Sequence, residues 1–284
     1  MITLRRFMPL LLALTLAACG GSGGSGGNSG TGSAQIASDP SALLNDNRPV
    51  HNVYFDAEGF APFVMSDADN RPSGFGIELV QAIGDKQGFR PNFIPHSFSN
   101  MLQDVGKGKG ADLAIAAITV TEERKAIVDF ANPHFETSMG LLVPANSPIT
   151  SLSGVKGKNI ATVAGTVGET ELAKLQAGDG TIIHSPSAWE ATRQVMRKEA
   201  DGVFADFGPL NYYANTYKDQ KLRVITDADS PKDYYAIAVK KGDPELVKKI
   251  NRGLDQIKAD GTYDKIYQKW FAAAPDKPAP AQAE

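Results

Sequence analysis

Between about residues 48 and 272 the chain alternates short apolar runs with stretches of helical periodicity. The strand-like runs are NVYF (52–55), RPNFIP (90–95), ADLAIAAI (111–118), GLLVP (140–144), KNIATV (158–163), TIIH (181–184), DGVFA (201–205), LRVIT (222–226) and YYAIAV (234–239). The spacing of apolar positions predicts helices over 77–87, 98–106, 168–176, 188–199, 209–217, 244–259 and 262–270. A further helix opens after Thr121, which stands as a cap before Glu122 and Glu123. Thr166 with Glu169 and Ser187 with Glu190 have the spacing of capping boxes. Strands alternating with helices in this way predict an α/β architecture with largely parallel sheets.

Outside this body the pattern changes. Residues 1–18 carry Arg5 and Arg6, an apolar run from Phe7 to Leu16, and small residues before Cys19. That is the layout of a secretory signal, and the run is too short for a membrane span, which needs about 20 apolar residues. Leu16-Ala17-Ala18-Cys19 reads as a lipobox, with Cys19 as the lipidated new N-terminus; an ordinary signal peptide that happens to contain a cysteine is the other reading. The stretch GGSGGSGGNSGTGS (20–33) has no residue able to pack a core and reads, within 19–47, as a flexible tether. Residues 273–284, rich in Pro and Ala, read as a disordered tail.

Composition narrows the function classes. With 42% hydrophobic and 21% charged residues the chain is an ordinary globular protein, and its net charge of −3 with no basic block gives no footprint for nucleic acid. Cys19 is the single cysteine, so no internal disulfide forms. The four histidines, His51, His96, His134 and His184, have no metal-ligand spacing, and Ser153-x-x-Lys156 sits in a polar connector without companion motifs. No catalytic residue, metal or cofactor is therefore expected.

Ligands of open α/β sheets sit outside the carboxyl ends of the strands, so the residues that follow strands are the informative ones. These include Asp56 to Phe63, Phe98, Ala117 to Arg124, Gly165 to Gly168 and Asp206. Arg124, the Thr119 hydroxyl and the N–H groups of Thr166 and Val167 suit a carboxylate. Arg124 is also misplaced locally, a cation in the first turn of a helix, with no acid three or four residues away. Asp206 suits a cation, and Phe60 and Phe98 suit the flanks of a side chain. A carboxylate, an ammonium and a side chain together describe an amino acid. Blander readings stand beside these: Arg124 paired on the surface with Glu122, Glu123 or Asp129; Asp206 as a helix cap; Phe60 and Phe98 as core aromatics; Asp56 and Glu58 as solvated loop acids.

Five segments in order then resemble the family 3 extracellular solute-binding proteins, the polar amino-acid-binding components of bacterial ABC importers. They are FAPF (60–63) with GFGIELVQAIG (74–84), ITVTEERKAIVDFANPHFE (118–136), SLSGVKGKNIATVAGT (151–166), ADGVFAD (200–206) and LDQIKADGTYDKIYQKWF (254–271). The resemblance implies a type II periplasmic-binding-protein clamshell, two lobes joined by two crossing hinge strands, with lobe 1 at 48–136 plus 234–272 and lobe 2 at 137–233. It implies Arg124 and Thr119 on the ligand carboxylate, helped by N–H groups of the AGTVG turn, with the Ala117 carbonyl and Asp206 on the ammonium and Phe60 and Phe98 around the side chain. Partners implied are an amino acid, polar or basic, and an inner-membrane ABC permease; the chain is a monomer held by its N-terminal lipid on the periplasmic side of the cell envelope. Three positions depart from the family pattern. Ala57, between Asp56 and Glu58, stands where basic-amino-acid binders carry an acid, Gly76 stands where Asp is usual, and Val163 where some glutamine binders have Lys. Two other uses of such a clamshell are a dehydratase acting on prephenate-like acids, with Glu58 or Asp206 as general acid, and a sensor for a separate membrane partner.

Overall fold

The computed structural model describes residues 46–67 and 71–271. The signal-like stretch, Cys19, the Gly/Ser segment to residue 45 and the tail from 272 lie outside the described residues.

The chain opens with β1 (Val50–Asp56), a two-residue pair β2 (Met65–Ser66) and β3 (Pro72–Ser73), then α1 (Phe75–Gln87). It continues through β4 (Arg90–His96), α2 (Phe98–Gly106), β5 (Leu113–Ile115), α3 (Glu122–Ile127), β6 (Asp129–Phe130) and β7 (Phe135–Thr137). A second set follows: β8 (Met139–Pro144), β9 (Asn159–Val163), α4 (Val167–Gln176), β10 (Thr181–Ser185), α5 (Ala188–Met196), β11 (Gly202–Asp206), α6 (Phe207–Thr216) and β12 (Leu222–Ile225). The chain then returns through β13 (Asp233–Tyr235) and β14 (Ala238–Val239) and ends in α7 (Pro244–Ala259) and α8 (Thr262–Phe271).

Two five-stranded sheets result, ordered β4-β1-β5-β14-β6 and β10-β9-β11-β8-β12. In each, four strands point one way and one the other: β14 opposes β5 and β6, and β8 opposes β11 and β12. The sheets are thus largely parallel in direction, each with one opposed strand, the one by which the chain crosses in from the other lobe: β14 in the first sheet and β8 in the second. Between the sheets, β7 and β13 pair antiparallel, with Phe135 opposite Tyr235 and Thr137 opposite Asp233. The fold is a two-lobed α/β clamshell whose lobes are linked by this strand pair.

Burial follows the two-residue period of the strands. In β8, Met139, Leu141 and Val143 enter one core with Phe204, Ile160 and Leu172, while Leu142 enters another with Ala161, Val203 and Leu210. The first lobe has one larger core, in which β1 and β5 pack with α1 and α2 residues such as Ile83 and Met101, and α7 and α8 add Leu254 and Ile266. Gly76 lies where α1 crosses β5: a Cβ there would stand 2.7 Å from Ile115 Cγ1, so only glycine permits the approach.

Several boundaries differ from expectation for local reasons. The run 111–118 shortens to β5 because Ala117 has φ 51°, which ends the extended conformation. The run 234–239 divides into β13, which serves the hinge, and β14, which joins the first sheet. Helix α5 stops at Met196, with Lys198 in the left-handed region. Thr166 caps α4 through the Glu169 N–H, while the Glu169 carboxylate reaches back to the Gly165 N–H at 2.6 Å. Ser187 caps α5, but Glu190 pairs with Arg193 and Arg197, so that box is half formed.

Candidate functional site

At the carboxyl ends of both sheets the lobes face one another across a cavity of about 350 Å³, part of it open to solvent. Its lining is Asp56, Phe60, Phe98, Ala116, Ala117, Thr119, Arg124, Val163, Thr166, Val167 and Asp206. All nine residues expected from the sequence to meet a ligand are on this wall; Glu58 is not. Ala116 and Val163 complete it, as the neighbours that continue β5 and end β9. Cys19, the expected lipid anchor, lies outside the described residues.

Arg124 is held by the start of α3. Thr121 accepts a hydrogen bond from the Arg124 N–H at 3.2 Å, closing the first turn and turning the side chain toward the cavity. Its guanidinium donates from Nη1 to the Thr119 carbonyl at 2.9 Å and reaches the Gly165 carbonyl of the opposite lobe at 3.5 Å. It also lies 5.6 Å above the Phe98 ring, within cation–π range. Two of the acids that would have made it a surface pair are engaged elsewhere, Glu122 with Lys125 and Asp129 with Lys241. Burial lowers the Arg124 pKa from its ordinary value, and the Asp206 carboxylate is the strongest influence opposing that shift. An arginine in such a place remains a cation.

Asp206 is the opposite pole. It occupies the cap position of α6, but its side chain makes no capping bond. It is 6% exposed, and its Oδ1 is buried without a hydrogen-bond partner among the described residues. Burial pushes its pKa up to about 6; the Tyr235 hydroxyl and Arg124 pull it down, and Asp233 pushes it further up. An acid buried without a completed hydrogen bond is costly unless a cation or donor meets it.

Between these poles, Ala117 has φ 51°, a left-handed conformation rare for a residue with a Cβ and typical of functional sites. It bends the chain between β5 and Thr119, which is itself bridged to Tyr235 of the hinge. Phe60 is buried and packs toward Phe63 at 6.4 Å, whereas Phe98 is half-buried at the start of α2. Asp56, at the end of β1, is 7% exposed and accepts the Glu58 N–H at 3.2 Å. Burial and the neighbouring Glu58 raise its pKa to about 8. A second and larger cavity, about 930 Å³, borders β7 and α8 and is lined by Phe135, Phe207, Tyr267 and Phe271 with Lys232. Its cation, Lys232, is already paired with Glu136 at 3.6 Å, which sets it apart from the first.

Tyr235 is the residue the sequence did not point to. Its ring is fully buried, and its hydroxyl lies against Asp206 and Thr137 without completing a hydrogen bond. Only the doubled tyrosine in an otherwise apolar run marked it, and that pattern is equally one of core packing.

Known proteins similar to this chain include amino-acid-binding proteins. A probable histidine-binding protein of Neisseria gonorrhoeae is 29% identical over 262 residues, covering 92% of each chain. The amino-acid-binding protein AabA of Dichelobacter nodosus is 32% identical over 213 residues, 74% of this chain and 83% of the relative. Among solved structures, an ancestral arginine-binding protein bound to glutamine superimposes with a TM-score of 0.73 at 35% identity, covering 79% of this chain and 98% of the other. Residues 53–273 match the family described as bacterial extracellular solute-binding proteins, family 3, and with a two-lobed fold whose strand ends enclose a polar cavity, the chain belongs to that family.

Proposed function

We propose that this protein captures a polar or basic L-amino acid and delivers it to an inner-membrane ABC permease. The observation that carries the reading is the placement of Arg124 and Asp206, from opposite lobes, on the wall of one cavity. The ligand carboxylate lies against the Arg124 guanidinium, with the Thr119 hydroxyl and the N–H groups of Thr166 and Val167 at the start of α4 completing its bonds. The ammonium lies against Asp206 and the Ala117 carbonyl. Phe60 and Phe98 flank the ligand side chain, and Asp56 stands where the distal part of a basic side chain would need an acid. Ligand bridges the lobes, assigned as 48–136 plus 234–272 and 137–233, and so favours closure about β7 and β13.

The chain acts as a monomer without catalysis, held on the periplasmic side of the cell envelope by a fatty-acyl anchor, palmitate among its chains, on Cys19 after removal of residues 1–18. The Gly/Ser stretch that follows supplies reach between anchor and body. A Cys19→Ser variant is expected to leave the membrane fraction and to lose the lipid mass from its N-terminal peptide.

Calorimetry against the common amino acids tests the central reading, together with native mass spectrometry of the purified protein for a co-purified ligand. Micromolar or tighter binding of at least one polar or basic amino acid is expected; no heat from any of them refutes it. One other reading has an observation behind it. The buried carboxyls Asp56 and Asp206 titrate near neutrality, as a general acid for dehydration of a prephenate-like acid would. Product formation from such acids, lost in the carboxylate variants, would favour that reading.

A further inference from the structure

Two buried polar groups near the cavity lack the hydrogen bonds they require. Asp206 Oδ1 and the Tyr235 hydroxyl are both without a completed partner among the described residues, although the two side chains lie against one another. Buried hydroxyls and carboxylates left in that state are rare. Tyr235 is also unusually well fixed. Its ring stacks on Phe135 of β7 at 5.8 Å, meets Phe63 edge-on at 5.2 Å, and its backbone is bridged to Thr119 on the cavity wall. The residue therefore joins three parts: the hinge pair that carries it, the strand end that leads to Arg124, and the carboxylate of the opposite lobe.

We propose that Tyr235 is a positioning residue for ligand capture: its hydroxyl donates to Asp206 Oδ1 when the lobes close on ligand, leaving the other carboxylate oxygen for the ligand's ammonium. This rests on the amino-acid reading above and deepens it. Donation by a neutral phenol holds the carboxylate in one rotamer and favours its charged form, the form that attracts a cation. Since β13 belongs to the hinge, the same bond ties the orientation of Asp206 to the angle between the lobes. The groups facing Asp206 are Tyr235, Asp233 and Arg124; Asp233 disfavours its charge and Arg124 favours it. Tyr235 is the neutral member of that set, and its removal leaves the formal charge of the cavity unchanged.

The test is Tyr235→Phe, measured by calorimetry with L-arginine, L-glutamine and L-histidine from pH 5 to 8, beside Asp206→Asn and the double variant. Phenylalanine keeps the packing with Phe135 and Phe63, and the ligand-free variant is expected to unfold at a temperature equal to or above that of the wild type, because an unsatisfied buried hydroxyl has been removed. Affinity for the amino acid that binds is expected to fall about tenfold at pH 7, as for loss of a bond to a charged group. The acid limb of binding should also move to higher pH, so that the ratio to wild type widens from pH 8 to 6. In the Asp206→Asn background the same change is expected to have no further effect. Unchanged affinity, a loss constant across pH, or a loss that persists beside Asp206→Asn overturns the proposal while the amino-acid reading stands. Absence of heat with wild-type protein and all three amino acids overturns both.

Discussion

Truncation of Arg124 gives the sharpest check on how the cavity works. In Arg124→Ala the protein loses the guanidinium that donates to the Thr119 carbonyl, reaches the Gly165 carbonyl across the lobes and covers Phe98. None of these is a carboxylate, so the strongest available partner of this cation is a ligand anion. Removing one member of a buried, hydrogen-bonded charge pair costs about 2–5 kcal/mol of binding, or roughly 30-fold to several thousand-fold in Kd. The ligand-free protein should behave quite differently. Arg124 is the third of only six residues in α3, too central for the helix dipole to stabilise it. Its burial is unfavourable, as the lowered pKa shows. Loss of the side chain should therefore leave the empty protein as stable as before, or slightly more so. Calorimetry with the amino acid that binds wild-type protein, paired with thermal unfolding of the empty variant, separates the two effects. A Kd within threefold of wild type, in a variant whose unfolding is unchanged, would refute the assignment of Arg124 to the ligand carboxylate.

Three further outcomes follow from the geometry. Asp206 and Asp56 are pushed up to about 6 and about 8, so from pH 8 down to about 5 the folded, ligand-free protein takes up more protons than the unfolded chain and becomes more stable. Ligand affinity should move the other way as Asp206 loses its charge; a melting temperature that falls over the same range would contradict this, whereas below about pH 4 the lowered carboxyls of Asp112 and Asp129 reverse the stability trend. Ala117→Val places a β-branched residue at φ 51° and should cost about 2 kcal/mol in denaturant unfolding, while Ala117→Gly should cost nothing. Gly76→Asp drives a side chain into Ile115 at the α1–β5 crossing and should lower stability by about 2 kcal/mol or more; an unchanged unfolding midpoint would show that the helix moves freely off the sheet.

How much of this was legible in the sequence depends on the range of the interaction. The helices over 98–106 and 244–259 have the same bounds in the structure, since apolar periodicity is a local signal; the structure adds Asp243 as the cap of the second. Strands of two or three residues, β2, β3, β6 and β7, left no such signal, because pairing rather than propensity defines them. The group of residues around the cavity was accessible because strands deliver their ends to one side of a sheet, so that a one-dimensional list of residues after strands becomes one wall.

The sequence by itself determined the element types and the identity of a cation and an acid placed where no local partner explains them. The tertiary structure decided what those groups face. Hydrogen-bond direction across 41 residues brings Gly165 O to Arg124, the pairing of β7 with β13 sets Tyr235 against Asp206, and a close helix crossing explains Gly76. Each of these depends on distances between segments far apart in the chain, and neither residue pattern nor intrinsic propensity encodes such distances.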